Sequence, residues 1–169
     1  MRSLYHFSTQ RIAWIILLIS AIGVEVSGLI FQHIFNLQPC VMCIYERIAF
    51  LGIVGGALVG LIQPQKAIFR WLGLFIWLFS AIKGSQLALE HIDYQLNPSP
   101  FVTCDLFVNF PEWLPLNDWA PWIFEAYGDC SEIVWTLMGY TMPQWTLVLY
   151  AIYTLIATVF IVGQINTKK

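Results

Sequence analysis

The chain has 169 residues, is 59% hydrophobic and only 11% charged, and has a net charge of −2 and a mean hydropathy of +0.70. Soluble domains carry about 25% charged residues, so there are too few charges here to clothe a water-exposed surface. The composition excludes an ordinary soluble enzyme, and no basic patch invites nucleic acid.

Four apolar runs follow in chain order: 12–32, 44–62, 68–89 and 144–163. Each has roughly 20 residues, enough at about 1.5 Å per residue to cross a hydrocarbon core of about 30 Å. Backbone groups find no water in lipid, so these runs are expected to be helices. The expected fold is an all-α membrane protein, a four-transmembrane-helix bundle forming one domain over 1–169. Ala21-Ile22-Gly23 is a passable cleavage site behind a basic start, but the apolar run continues to Phe31, so the first span is read as retained.

Arg2 and Arg11 precede the first span, Lys66 and Arg70 stand around the second connection, and Lys168 and Lys169 end the chain. The segment 90–143 has neither lysine nor arginine. The positive-inside rule therefore places both termini in the cytoplasm and segments 33–43 and 90–143 on the outer side.

In span one Glu25 stands in an apolar run, and in span three Lys83 does. Both lie ~20 Å from the cytoplasmic edge, and an ion pair between them, preferred here over a proton relay, removes two costly lone charges. Gly52, Gly56 and Gly60 form a small-residue stripe for close helix packing in span two.

All four cysteines fall in the outward segments. Cys40 and Cys43 form a Cys-x-x-Cys pair at the start of span two, whereas Cys104 and Cys130 are far apart in the long loop. Zinc knuckles use two short pairs, so a Cys₄ metal site is disfavoured and no metal is expected. Two purely structural disulfides are the plainer alternative. Against it, Cys43 sits at a helix N-terminus and Arg47 lies four residues on, on the same face; both favour a thiolate. Arg47 by itself reads as snorkelling to headgroups, and its register with Cys43 moves the reading toward a functional role.

In the loop, Asn97-Pro98-Ser99-Pro100 is expected to be extended, suited to lie in another protein's groove or equally an ordinary loop whose prolines limit its entropy. Trp113, Trp119, Trp122 and Tyr127 suggest a stretch skimming the bilayer, with a short interfacial helix near 121–127. His91, just past span three, reads by itself as a capping or interfacial histidine, and Met142 as an interfacial apolar residue.

Taken together, PCVMCIYER, LEH before PSPFVTCD, FPEWLPL, GDCSE and MPQW occur in order over essentially the whole chain. In this the sequence resembles the DsbB family of bacterial inner-membrane thiol:quinone oxidoreductases. The DsbA–DsbB–quinone system is the established source of periplasmic oxidation. The resemblance implies that a DsbA-type periplasmic thiol oxidant attacks the Cys104–Cys130 disulfide at Cys104. Electrons then pass to Cys40–Cys43, with Cys130 pairing transiently with Cys40. From Cys43 they reach a quinone, ubiquinone or menaquinone, and so the respiratory chain. It further implies Cys43, Arg47, His91 and Met142 as the quinone site, and a chaperone-like service to exported proteins. A structural disulfide, below about −300 mV, would resist electrons from DsbA near −120 mV by ~180 mV, roughly 8 kcal/mol. A dedicated paralogue serving one exported enzyme, or a disulfide-braced membrane scaffold, stay open as alternatives.

Overall fold

The computed structural model describes residues 2–98, 104–105 and 107–166. Ser99 and Pro100 of the expected extended stretch, and Lys168 and Lys169, lie outside them. Helix α1 (Arg2–Ser8) precedes α2 (Arg11–His33), α3 (Val41–Ile62) and α4 (Ala67–Leu96). Two single-turn helices follow, α5 (Leu116–Trp119) and α6 (Pro121–Phe124), the latter within the expected short-helix region. A hairpin of β1 (Thr136–Leu137) and β2 (Tyr140–Thr141) leads into α7 (Met142–Asn166). Met138 and Gly139, both at positive φ, make its two-residue turn.

Helices α2, α3, α4 and α7 are each long and apolar enough to cross a membrane, and the protein is a multi-pass membrane protein. Helix α4 runs 30 residues, past the expected end at Leu89, because no proline interrupts it before Pro98. That extension takes His91 into the bundle.

Helix α3 is the centre of the packing: α2 and α4 lie against it, and α7 lies against α4. The expected glycine stripe is where backbones meet. A Cβ on Gly56 would stand 2.9 Å from both the Gly73 carbonyl oxygen and the Trp77 nitrogen, and one on Gly60 would enter the Trp14 ring. Lipid tails are as apolar as the core, so this close approach, rather than expulsion of apolar surface from water, holds the helices together. Phe50 stacks on Tyr150 of α7 with ring centroids 4.2 Å apart. Ile19, Phe79 and Leu155 point outward, as the lipid-facing surface of a membrane bundle requires.

Candidate functional site

Cys40 is the N-cap of α3, and its Sγ accepts the Cys43 backbone N–H at 3.2 Å. The cap thereby satisfies one of the free N–H groups of the first turn and turns the two sulfurs toward each other. They are 2.7 Å apart and unbonded. Cys104 and Cys130 are joined in a disulfide with Cα atoms 6.0 Å apart.

The loop docks this disulfide on the dithiol. Tyr127 and Gly128 donate their backbone N–H groups to the Pro39 carbonyl at 2.9 and 3.0 Å, and Gly128 bridges to Cys40 in parallel register. A Cβ on Gly128 would stand 2.7 Å from the Gln38 oxygen, so the approach needs glycine. Beyond it, Ser131 donates its backbone N–H and hydroxyl to Asp129 Oδ1 at 2.8 and 2.9 Å, a turn that flanks Cys130. These bonds hold the Asp129 carboxyl below the usual carboxylate range. Cys40, Cys43, Cys104 and Cys130 all belong to one packed cluster with Val41, Met42 and Leu87.

Arg47, one turn beyond Cys43, is buried rather than snorkelling. It donates to Gln32 Oε1 at 2.9 Å and to the Ile123 carbonyl at 2.6 Å, and its Nε lies 3.6 Å from Glu25 Oε2. This overturns the expected Glu25–Lys83 pair. Helix α2 packs on α3, so the cation within Glu25's reach comes from α3. Lys83 is exposed beside Phe79 and Leu87, with no ion pair among the described residues.

His91 is 3% exposed, not an interfacial cap. Its Nδ1 lies 2.9 Å from Glu46 Oε1 and its Nε2 3.5 Å from Cys40 Sγ. His91 thus makes a direct side-chain contact with the dithiol, while the Nε of Arg47 is turned to Glu25. Tyr150 steadies the turn by donating its hydroxyl to the Glu46 carbonyl. Glu46 escaped the sequence reading, although an acid three residues past Cys43 inside an apolar run is itself a signal.

One cleft collects these groups. Cys43, Glu46, Arg47 and His91 line it with Glu25 and Gln32 of α2, and Phe31, Phe50, Val134 and Met142 supply apolar wall. All four residues expected to hold the quinone therefore border a single cavity. Its volume is about 120 Å³, near the ~150 Å³ of a cavity that admits one benzene ring. Trp113, Trp119 and Trp122 lie outside it and are exposed.

A four-helix membrane bundle that packs a free Cys-x-x-Cys dithiol against a loop disulfide defines a membrane protein-disulfide oxidoreductase. Comparison with known proteins gives the family. The model of "Disulfide bond formation protein DsbB" matches residues 10–160, and the chain belongs to the DsbB family. Among its relatives, each called disulfide bond formation protein B, that of Aliivibrio fischeri is 55% identical over 169 residues, all of both chains. That of Vibrio vulnificus is 58% identical over 160 residues, 95% of this chain and 92% of the relative. That of Vibrio cholerae is 53% identical over 163 residues, 96% and 94% of the two. The protein acts in disulfide bond formation through redox-active cysteines; the expected chaperone-like service finds no support in these comparisons.

Proposed function

We propose that the protein re-oxidises a DsbA-type dithiol oxidant in the periplasm and passes the electrons to a membrane quinone. What carries this reading is the placement of Cys43: it belongs to the four-cysteine cluster and also borders the ring-sized cleft.

The steps balance as thiol–disulfide exchanges. A partner thiolate attacks Cys104 Sγ, the Cys104–Cys130 bond breaks, and Cys130 leaves as thiolate. The partner's second thiol then resolves the mixed disulfide and leaves the partner oxidised. Cys130 attacks Cys40 of an oxidised Cys40–Cys43 pair, releasing Cys43, and Cys104 displaces Cys40 to restore the loop disulfide. Two electrons now reside on the Cys40–Cys43 dithiol. The observed pairing, loop bonded and dithiol free, corresponds to this stage.

The residues bordering the cleft fit a quinone. The walls are apolar, Arg47 and His91 can donate to carbonyl oxygens, and Glu25 Oε1, buried and without a hydrogen-bond partner among the described residues, would accept from a hydroxyl of the reduced ring. When bound there, the quinone supplies a two-electron, two-proton acceptor. Arg47, buried at the edge of the cleft, would offer positive charge to an acceptor oxygen there. His91, held by Glu46, takes the proton of the Cys40 thiol. As Cys40 and Cys43 close, two S–H bonds are replaced by one S–S bond.

The basic residues support cytoplasmic termini and a periplasmic loop in the bacterial inner membrane, and the whole chain is taken as one domain. The exposed tryptophans would hold α5 and α6 at the bilayer surface. Ubiquinone and menaquinone share the chemistry used here.

The test is a quinone-reduction assay on the purified protein with a reduced DsbA-type dithiol. Quinone should disappear in step with thiol oxidation, and Cys43→Ser should stop both. Turnover that persists in Cys43→Ser, or folded wild type inert toward both quinones, refutes the reading.

A further inference from the structure

We infer that the reduced protein carries a soft-metal site: Cys40, Cys43 and His91 bind one zinc-class divalent ion and hold the dithiol out of its redox cycle. A ligand atom from each of the three lies within 4.8 Å of the others. A tetrahedral ion bonded at about 2.3 Å to sulfur and about 2.0 Å to nitrogen sets S···S near ~3.8 Å and S···N near ~3.6 Å. Cys40 Sγ and His91 Nε2 already stand 3.5 Å apart. The two sulfurs need to open from 2.7 Å, which a turn of the Cys43 side chain toward the cleft provides.

His91 is oriented as metal-bound histidines are. Glu46 holds its Nδ1 at 2.9 Å and leaves Nε2 toward sulfur, an arrangement that fixes the tautomer and raises the basicity of a ligating imidazole. The local charge also suits a cation. Two thiolates balance a divalent ion, Arg47 is matched by Glu25 at 3.6 Å, and Glu46 is engaged with the ligating His91. Three protein ligands leave a fourth position for water, and the cleft bordered by Cys43 provides the way in.

Binding replaces two S–H bonds with two sulfur–metal bonds and releases two protons to solvent. No electrons move. The disulfide form offers no thiolate, so the site exists only while the dithiol holds electrons, and the ion must leave before Cys40 and Cys43 can re-form their bond. The ligand set differs from the Cys₄ arrangement considered from sequence, since Cys104 and Cys130 are bonded to each other. The inference rests on the redox reading of Cys40–Cys43 but not on the quinone.

The experiment uses the full chain in detergent with Cys104→Ser and Cys130→Ser, so that reduction exposes only one dithiol. It is titrated with Zn²⁺ against a chromophoric chelator, and separately with Co²⁺, whose thiolate charge-transfer bands report sulfur ligands. The reduced chain should take up one ion and the oxidised chain none, and Glu46→Gln should weaken binding by about 10- to 100-fold. One equivalent of Zn²⁺ should slow re-formation of the Cys40–Cys43 bond by a small-molecule disulfide about tenfold or more, reversibly with chelator. That oxidant keeps the outcome separate from the quinone assay, which is run on metal-free protein. No uptake by the reduced chain, equal uptake by the oxidised chain, cobalt spectra without thiolate bands, or an unslowed oxidation would overturn the inference. The cobalt spectrum is read with dithiol and histidine intact, so a variant that fails to fold does not decide it.

Discussion

The bundle buries an arginine near each end, and the two are satisfied differently. Arg70, 3% exposed, donates to Gln164 Oε1 at 2.7 Å and to the Pro64 carbonyl at 2.9 Å, and lies 5.0 Å over the Tyr5 ring. Gln164 in turn donates to Ser8. Every partner comes from the scaffold, and the network ties α1, α4 and α7 together. Arg47, 8% exposed, instead borders a cleft, beside a carboxylate oxygen with no hydrogen-bond partner among the described residues and two sulfurs not joined in a disulfide. Burial alone does not mark a functional charge. An incomplete set of partners around a cavity does.

Substitutions can break this contrast. The largest expected effect is Arg70→Ala, which strands Gln164 Oε1 and the Pro64 carbonyl and should cost about 3 kcal/mol of stability. Thermal unfolding in detergent would show the loss, while the folded fraction should reduce quinone at the wild-type rate. Arg47→Ala also strands acceptors, Gln32 Oε1 and the Ile123 carbonyl, and should cost some stability. Unlike Arg70→Ala, it should slow quinone reduction by the folded fraction about 100-fold, or ~2.7 kcal/mol at the transition state. If the folded fractions of the two variants reduce quinone at the same rate, the contrast fails.

The smallest expected effect is Asp129→Asn. The lowered pKa of Asp129 means that its turn is stabilised above the ordinary carboxylate range, and that this contribution fades as pH falls through the lowered value. The group is exposed, so the change should amount to a few tenths of a kcal/mol. It would be read as a slightly slower loop-disulfide exchange, with a difference from wild type that vanishes in acid.

The four spans were legible because lipid permits few alternatives: a long apolar run must be a helix. The close packing at Gly56 and Gly60 was legible for the same kind of reason, as a repeat of small residues on one face. Rotation about the helix axis was not. Glu25 and Lys83 were matched by depth, but only packing decides that α2 faces α3. Arg70 read as a basic residue of a connection, since its partner Gln164 is 94 positions away and no local pattern joins them. His91 and Met142 drew their assignment from family resemblance, and the structure brings both to the cleft of Cys43 and Arg47. Glu46 was hidden by the charged neighbour that drew attention instead, and its role emerges only when α4 extends far enough to place His91 opposite it.

The central claim is that the loop disulfide and the buried dithiol form one relay, and its most direct test is a trapped bond. The full chain carrying Cys43→Ser and Cys104→Ser retains only Cys40 and Cys130. After mild oxidation, peptide mass spectrometry should find most chains joined Cys40 to Cys130 within the molecule. Two free thiols in a folded protein would contradict the account.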